Sequence, residues 1–163
     1  MGNGVYSEFE KISNMINEPG IYIGIGMALS LLATETLGVT AGGLIVPGYI
    51  AMHMDSPLKL VMTFGISILT FLIIKFLGTV ILIYGKRRLA LTLILGFFLG
   101  SLTRYLPMFF NMGIDDLTVI GNIIPGLIAN WMDRQGMLRT MSIVMIIASI
   151  TQLIILTFTV LTY

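Results

Sequence analysis

A small set of positions carries what chemistry this sequence can offer. Two thirteen-residue segments, Gly43 to Asp55 and Gly121 to Asp133, align without a gap and are identical at eight positions, Pro47-Gly48 and Pro125-Gly126 among them. Proline suits the first turn of a helix, where its missing N–H forfeits no hydrogen bond and its φ is already helical. Each copy is therefore expected to open a half-helix about 12 to 14 Å long after a glycine-containing extended stretch. The free N–H groups at such a start attract anions, carboxylates above all. Pro47, Gly48, Pro125 and Gly126 are thus candidate pathway residues for an anionic substrate, joined by Lys75 and Glu35, which stand inside or at the edge of apolar segments. A charge at membrane depth costs at least a few kcal/mol unless paired or hydrated, so Lys75 is expected to face the bundle interior, opposite Glu35 or passing carboxylates. Arg104 is placed to reach the interface.

Other chemistries find less support. His53 and Asp55 form an H-x-D, yet no serine or cysteine nucleophile and no second metal ligand is arranged with them, so no catalytic residue is assigned. With one histidine and no cysteine the chain offers no zinc or iron–sulfur site, and no metal site is expected. Tyr84-Gly85-Lys86-Arg87-Arg88 is not a phosphate-binding loop; nucleotide energy would have to come from a partner. A net charge of +1 gives no field for nucleic acid.

These residues must be positioned by membrane helices. Apolar residues make up 56% of the chain and charged ones 10%, where a soluble domain needs roughly a quarter charged to coat its surface. The mean hydropathy of +0.98 agrees. A membrane span takes about 20 apolar residues. Gly20 to Leu37, Leu60 to Tyr84, Leu89 to Leu106 and Thr140 to Tyr163 qualify as four transmembrane helices. Val39 to Met52 and Leu117 to Met132 are too short, since as helices they reach only about 21 to 24 Å. Being the two Pro-Gly copies, they are expected as re-entrant hairpins, whose irregular backbone must be buried in protein or line a wet cavity.

The expected fold is all-α: a polar lead-in over 1–19, then one membrane domain over 20–163, duplicated as 20–84 and 89–163. The outer match of the repeat pairs Gly20/Gly24 with Gly96/Gly100, small residues four apart that allow close helix packing. Lys86, Arg87 and Arg88 form the one concentrated basic loop, which belongs in the cytoplasm and is a candidate docking site for a partner or acidic lipid. Four crossings then put both termini in the cytoplasm, with Asp55 and Asp115, Asp116 outside.

Three stretches carry a family resemblance: Thr40-Ala-Gly-Gly-Leu-Ile-Val-Pro-Gly-Tyr-Ile50, Tyr84-Gly-Lys-Arg-Arg-Leu89, and Ile123-Ile-Pro-Gly-Leu-Ile-Ala-Asn130 with Gln135-Gly136. In order and spacing they resemble the capsule biosynthesis protein C family, the polytopic membrane component of poly-γ-glutamate synthase. The resemblance runs from about Ile21 to the C-terminus and takes in Glu35 and Lys75, leaving aside Met1 to Pro19 and Arg104. It implies a multi-pass protein of the cell membrane that forms part of an ATP-dependent amide-ligase complex. Its partners would be a cytoplasmic subunit similar to Mur-type ligases, which would hold the ATP and divalent metal, and a subunit with an extracytoplasmic domain. The glutamate polymer and membrane lipid complete the set. The chain itself would hold no cofactor and would support polymerisation and export rather than catalyse alone. A stand-alone small-molecule or ion transporter built from the same hairpins, and a membrane-embedded transferase using His53, Asp55 or Glu35, are the competing classes.

Overall fold

The computed structural model describes residues 18–80, 85–105 and 119–161. The regular structure among them is all helical: α1 Pro19–Leu37, α2 Val46–Met52, α3 Pro57–Val80, α4 Lys86–Leu102, α5 Ile124–Gln135 and α6 Met137–Leu161. Three of these, α1, α3 over Pro57–Thr79 and α6, are long and apolar enough to cross a membrane, which makes the chain an all-α membrane protein. The fourth expected span is shorter than expected. Helix α4 has 17 residues and opens on Lys86-Arg87-Arg88, so its apolar part ends by Leu102. Leu106, Tyr84, Asp115, Asp116 and the lead-in up to residue 17 lie outside the described residues.

Local chemistry sets the helix ends. Pro19, Pro47 and Pro125 each sit in a first helical turn, as their fixed φ favours. Helix α1 closes on Gly38, whose φ of 64° lets its N–H reach the Thr34 carbonyl, a left-handed cap that a side chain would strain.

Between α1 and α3 the chain runs back along α1. The Ser30 hydroxyl donates to the Gly43 carbonyl, Gly48 lies against Tyr22 and Ile23, and Asp55 comes within electrostatic reach of Tyr22 in the first turn of α1. The second unit repeats this path. Gly100 lies beside Asn122, Gly126 lies against Thr92 and Leu93, and Asp133 meets Arg88 in the first turn of α4. The re-entrant hairpins expected from the Pro-Gly segments are therefore corrected: each leg continues along the whole of the helix beside it. Rise per residue explains the error. Non-helical chain can cover up to ~3.3 Å per residue against 1.5 Å in a helix, so a 14-residue segment that is half non-helical reaches much further than an all-helical one.

One consequence is topological. Helices α1 and α3 run one way, and α4 and α6 run the other. The end carrying Lys86, Arg87 and Arg88, called here the basic face, also receives the end of α1, the end of α5 and the start of α6. There the Gln135 side chain bonds the Thr40 backbone, accepting its N–H at 3.2 Å and donating to its carbonyl. The start of α1 and the end of α6 lie on the opposite face; the two termini, expected on the side of the basic loop, lie outside the described residues.

The two units interlock. Helix α2 packs on α1 of its own unit and on α6 of the other, while α5 packs on α4 of its own unit and on α3 of the other. Where α2 and α5 meet, Val46, Ile50, Ile128 and Val144 are fully buried and fill the centre with apolar side chains. Around it Thr63, Ser67, Thr70, Thr140 and Thr151 are buried too, each returning its hydroxyl to the backbone carbonyl four residues back. A hydroxyl satisfied this way takes little room, and it lets helices approach closely in lipid.

Candidate functional site

Each Pro-Gly segment is held by a crossing of two glycine backbones. A Cβ on Gly26 of α1 would stand 2.5 Å from the Gly48 Cα, and one on Gly48 would stand 2.6 Å from the Tyr22 carbonyl oxygen. In the second unit a Cβ on Gly96 of α4 would stand 2.5 Å from the Gly126 Cα, and one on Gly126 2.9 Å from the Thr92 carbonyl oxygen. No side chain fits at such separations. The outer match of the repeat is thereby corrected: α1 meets α2 through Gly26 and Ser30, the counterparts of Gly96 and Gly100. Gly20 and Gly24 have no atom within 4 Å of where a Cβ would stand, because they occupy the outer side of α1.

Pro47, Gly48, Pro125 and Gly126 are all buried. In the described structure these four candidate pathway residues do packing work, pressing each short helix against the long helix of its unit. The half-helix starts face helix backbone and the apolar centre. Lys75 and Glu35, expected as an interior pair, are not brought together. Both are exposed, Glu35 in the last turn of α1 and Lys75 five residues before the end of α3, and neither has an ion pair among the described residues. The Lys75 Nζ lies 5.6 Å from the centroid of the Phe71 ring.

The basic face is the polar site that the fold assembles. Arg88 Nη2 donates to Asp133 Oδ1 at 2.5 Å with both side chains about three-quarters covered, so Arg88 ties α4 to α5. Lys86 and Arg87 beside it are exposed, as are Arg134 and Arg139 at the junction of α5 and α6. The Arg134 guanidinium lies 5.4 Å from the Trp131 ring. Four exposed cations from two distant stretches thus share one end of the bundle. Sequence reading found the first stretch because its charges are consecutive; Arg134 and Arg139 are scattered singly, and only the return of α5 brings them in.

On the opposite face His53 Nδ1 lies 3.0 Å from the Tyr49 carbonyl, closing the end of α2. Arg104 follows α4 and donates to Asn122 Oδ1 at 3.4 Å, while Asn122 donates to the Ser101 hydroxyl. Among the described residues no three histidine or carboxylate side chains converge as a metal site would require.

With this geometry in place, comparison with known proteins is informative. The family model for Capsule biosynthesis CapC matches residues 25–141. The chain belongs to the capsule biosynthesis CapC family. It is 36% identical over 132 residues to the capsule biosynthesis protein CapC of Bacillus anthracis, covering 80% of this chain and 89% of that protein. It is 33% identical over 134 residues to the PGA biosynthesis protein CapC of Bacillus subtilis strain 168, covering 80% and 90%. No solved structure matches. The CapC match takes in both glycine crossings, the basic face and the Arg88–Asp133 bridge, and it reaches only the first turns of α6.

Proposed function

We propose that this chain is the membrane component of a complex that makes poly-γ-glutamate and exports it as capsule or free polymer. The names of the two relatives, which speak of capsule and PGA biosynthesis, support the pathway. The observation that carries the role is the basic face, where Lys86, Arg87, Arg134 and Arg139 stand exposed at one end of the bundle. By the positive-inside tendency we read that face as cytoplasmic, with the start of α1 and the end of α6 outside. The two interlocked units are read as one duplicated element inserted in opposite senses, an arrangement known from membrane transport proteins.

In this reading a cytoplasmic ligase similar to the Mur type holds the ATP and divalent metal, forms the amide bonds, and docks through acidic residues on the four cations. A subunit with an extracytoplasmic domain receives the product. Charge complementarity of this kind sets orientation and encounter rate more than affinity. The test is co-purification in mild detergent of the tagged chain carrying Lys86→Gln, Arg87→Gln, Arg134→Gln and Arg139→Gln together. Arg88 is left in place because it holds Asp133. Ligase recovery should fall at least tenfold while the thermal midpoint of the chain is unchanged; undiminished recovery would refute docking at this face.

A further inference from the structure

Lys75 and Glu35 present a problem that a single chain leaves unsolved. Each is exposed on a helix that crosses the membrane, each lies near the basic-face end of that helix, and neither has an ion pair among the described residues. A charge facing lipid is costly unless a counter-charge or water reaches it. Helices α1 and α3 are parallel but are not packed on one another. We propose that α1 of one copy packs in parallel against α3 of a second copy, pairing Glu35 with Lys75 between chains. This inference does not depend on the function proposed above.

The register of the two helices carries the argument further. Along α1 the outer side shows Gly20, Gly24 and Ala28, then Glu35; along α3 it shows Val61, Gly65, Leu69 and Leu72, then Lys75 and Phe76. Among the described residues nothing lies within 4 Å of a Cβ position on Gly20, Gly24 or Gly65, so these faces are open there. From Gly24 to Glu35 is eleven residues and from Gly65 to Lys75 is ten, rises of about 16 and 15 Å. Setting Gly24 against Gly65, where the backbones can come closest, therefore brings Glu35 and Lys75 to the same height to within one residue, with Lys75 about 80° round α3 from Gly65 and its long side chain reaching toward the seam. All copies insert the same way, so neighbours related by an axis along the membrane normal have α1 and α3 parallel, and the contact can close into a symmetric assembly. The outer faces of α4 and α6 show no charge in their apolar stretches: Ile94, Phe97 and Phe98 on one, Ile146, Leu153 and Leu156 on the other are exposed and suited to lipid.

The chain has no cysteine, which makes the test clean. Two populations, one carrying Gly24→Cys and the other Gly65→Cys, are co-expressed and oxidised in membranes. Disulfide-linked dimer should form in the mixture, and at no more than a tenth of that level when Phe97→Cys replaces Gly24→Cys. In detergent, Glu35→Lys and Lys75→Glu should each lower the oligomeric fraction at least tenfold by light scattering. Mixing the two should restore part of it, since each contact between one variant and the other again sets a lysine against a glutamate. The proposal is overturned if the cysteine mixture gives no more dimer than the control, or if the single charge variants keep the natural stoichiometry. Should a charge variant fail to accumulate, the cysteine pair decides, because it leaves the charges natural.

Discussion

The first unit, α1 to α3, and the second, α4 to α6, solve the same packing problem and then diverge at their surfaces. Inside, both cross two glycine backbones at the distance of direct contact: Gly26 with Gly48, and Gly96 with Gly126. At the far end of each short helix both place an aspartate near the first turn of the long one, but Asp133 is bonded to Arg88 whereas Asp55 is exposed and only within electrostatic reach of Tyr22. Outside, both units show bulky apolar side chains, such as Leu32, Val61 and Phe76 in the first and Ile94, Phe98 and Leu153 in the second, but the first also shows the charges Glu35 and Lys75 within its long apolar helices. The interior contacts of the copies coincide because close packing leaves no latitude.

Substitution should cost most at the crossings. Gly48→Val would push a side chain into the backbone of α1, an overpacking that costs about 3 kcal/mol or more where the obstacle is main chain. Folded protein should fail to accumulate, as judged by its size-exclusion profile in detergent. Gly126→Ala should be tolerated better than Gly48→Ala, because the nearest atom is 2.9 Å rather than 2.6 Å from the Cβ position. Gly24→Ala, on the outer side of the same α1, should leave the thermal midpoint of the monomer unchanged or slightly raised, since alanine favours the helix by about 0.5–1 kcal/mol over glycine.

A smaller effect distinguishes the two units at their buried threonines. The Thr63 hydroxyl accepts the Ile120 N–H at 2.9 Å and so ties α3 to the non-helical leg of the other unit. Thr63→Val would leave that buried donor unpaired, at about 1–3 kcal/mol. At the corresponding place on α6, Thr140 only returns its hydroxyl to Gly136, so Thr140→Val should cost less than half as much. Equal shifts in the thermal midpoint would show that the two legs are not anchored differently.

The smallest expected difference lies at the aspartates. Arg88→Gln should destabilise by about 1 kcal/mol or less, since the pair is partly exposed and water screens it. Raising the salt concentration should narrow the gap between natural and variant protein. A loss well beyond this range would mean that Arg88 carries more of the α4–α5 contact than its charge.

Much of this was legible beforehand. The Pro47-Gly48 and Pro125-Gly126 copies stand out because eight of thirteen positions repeat, and the long helices stand out because lipid requires uninterrupted apolar sequence. Three points were not legible. Gly20, Gly24 and Gly26 look alike in one dimension, and which of them meets a partner depends on how α1 is rotated. Glu35 and Lys75 invite pairing by their signs, yet α1 and α3 do not pack together. Arg134 and Arg139 join Lys86 and Arg87 only through the path of α5.

The sequence by itself determined that this is an all-α membrane chain of the CapC kind, with two Pro-Gly copies and one basic loop. Composition and local repetition are properties of the string, and hydropathy acts residue by residue. Only the tertiary structure decided that each copy runs the full length of its neighbouring helix, that the two units interlock in opposite senses, and which glycines touch. Those outcomes depend on rise per residue and on which faces meet, and both are settled when close packing between backbones selects one arrangement from many that the pattern allows.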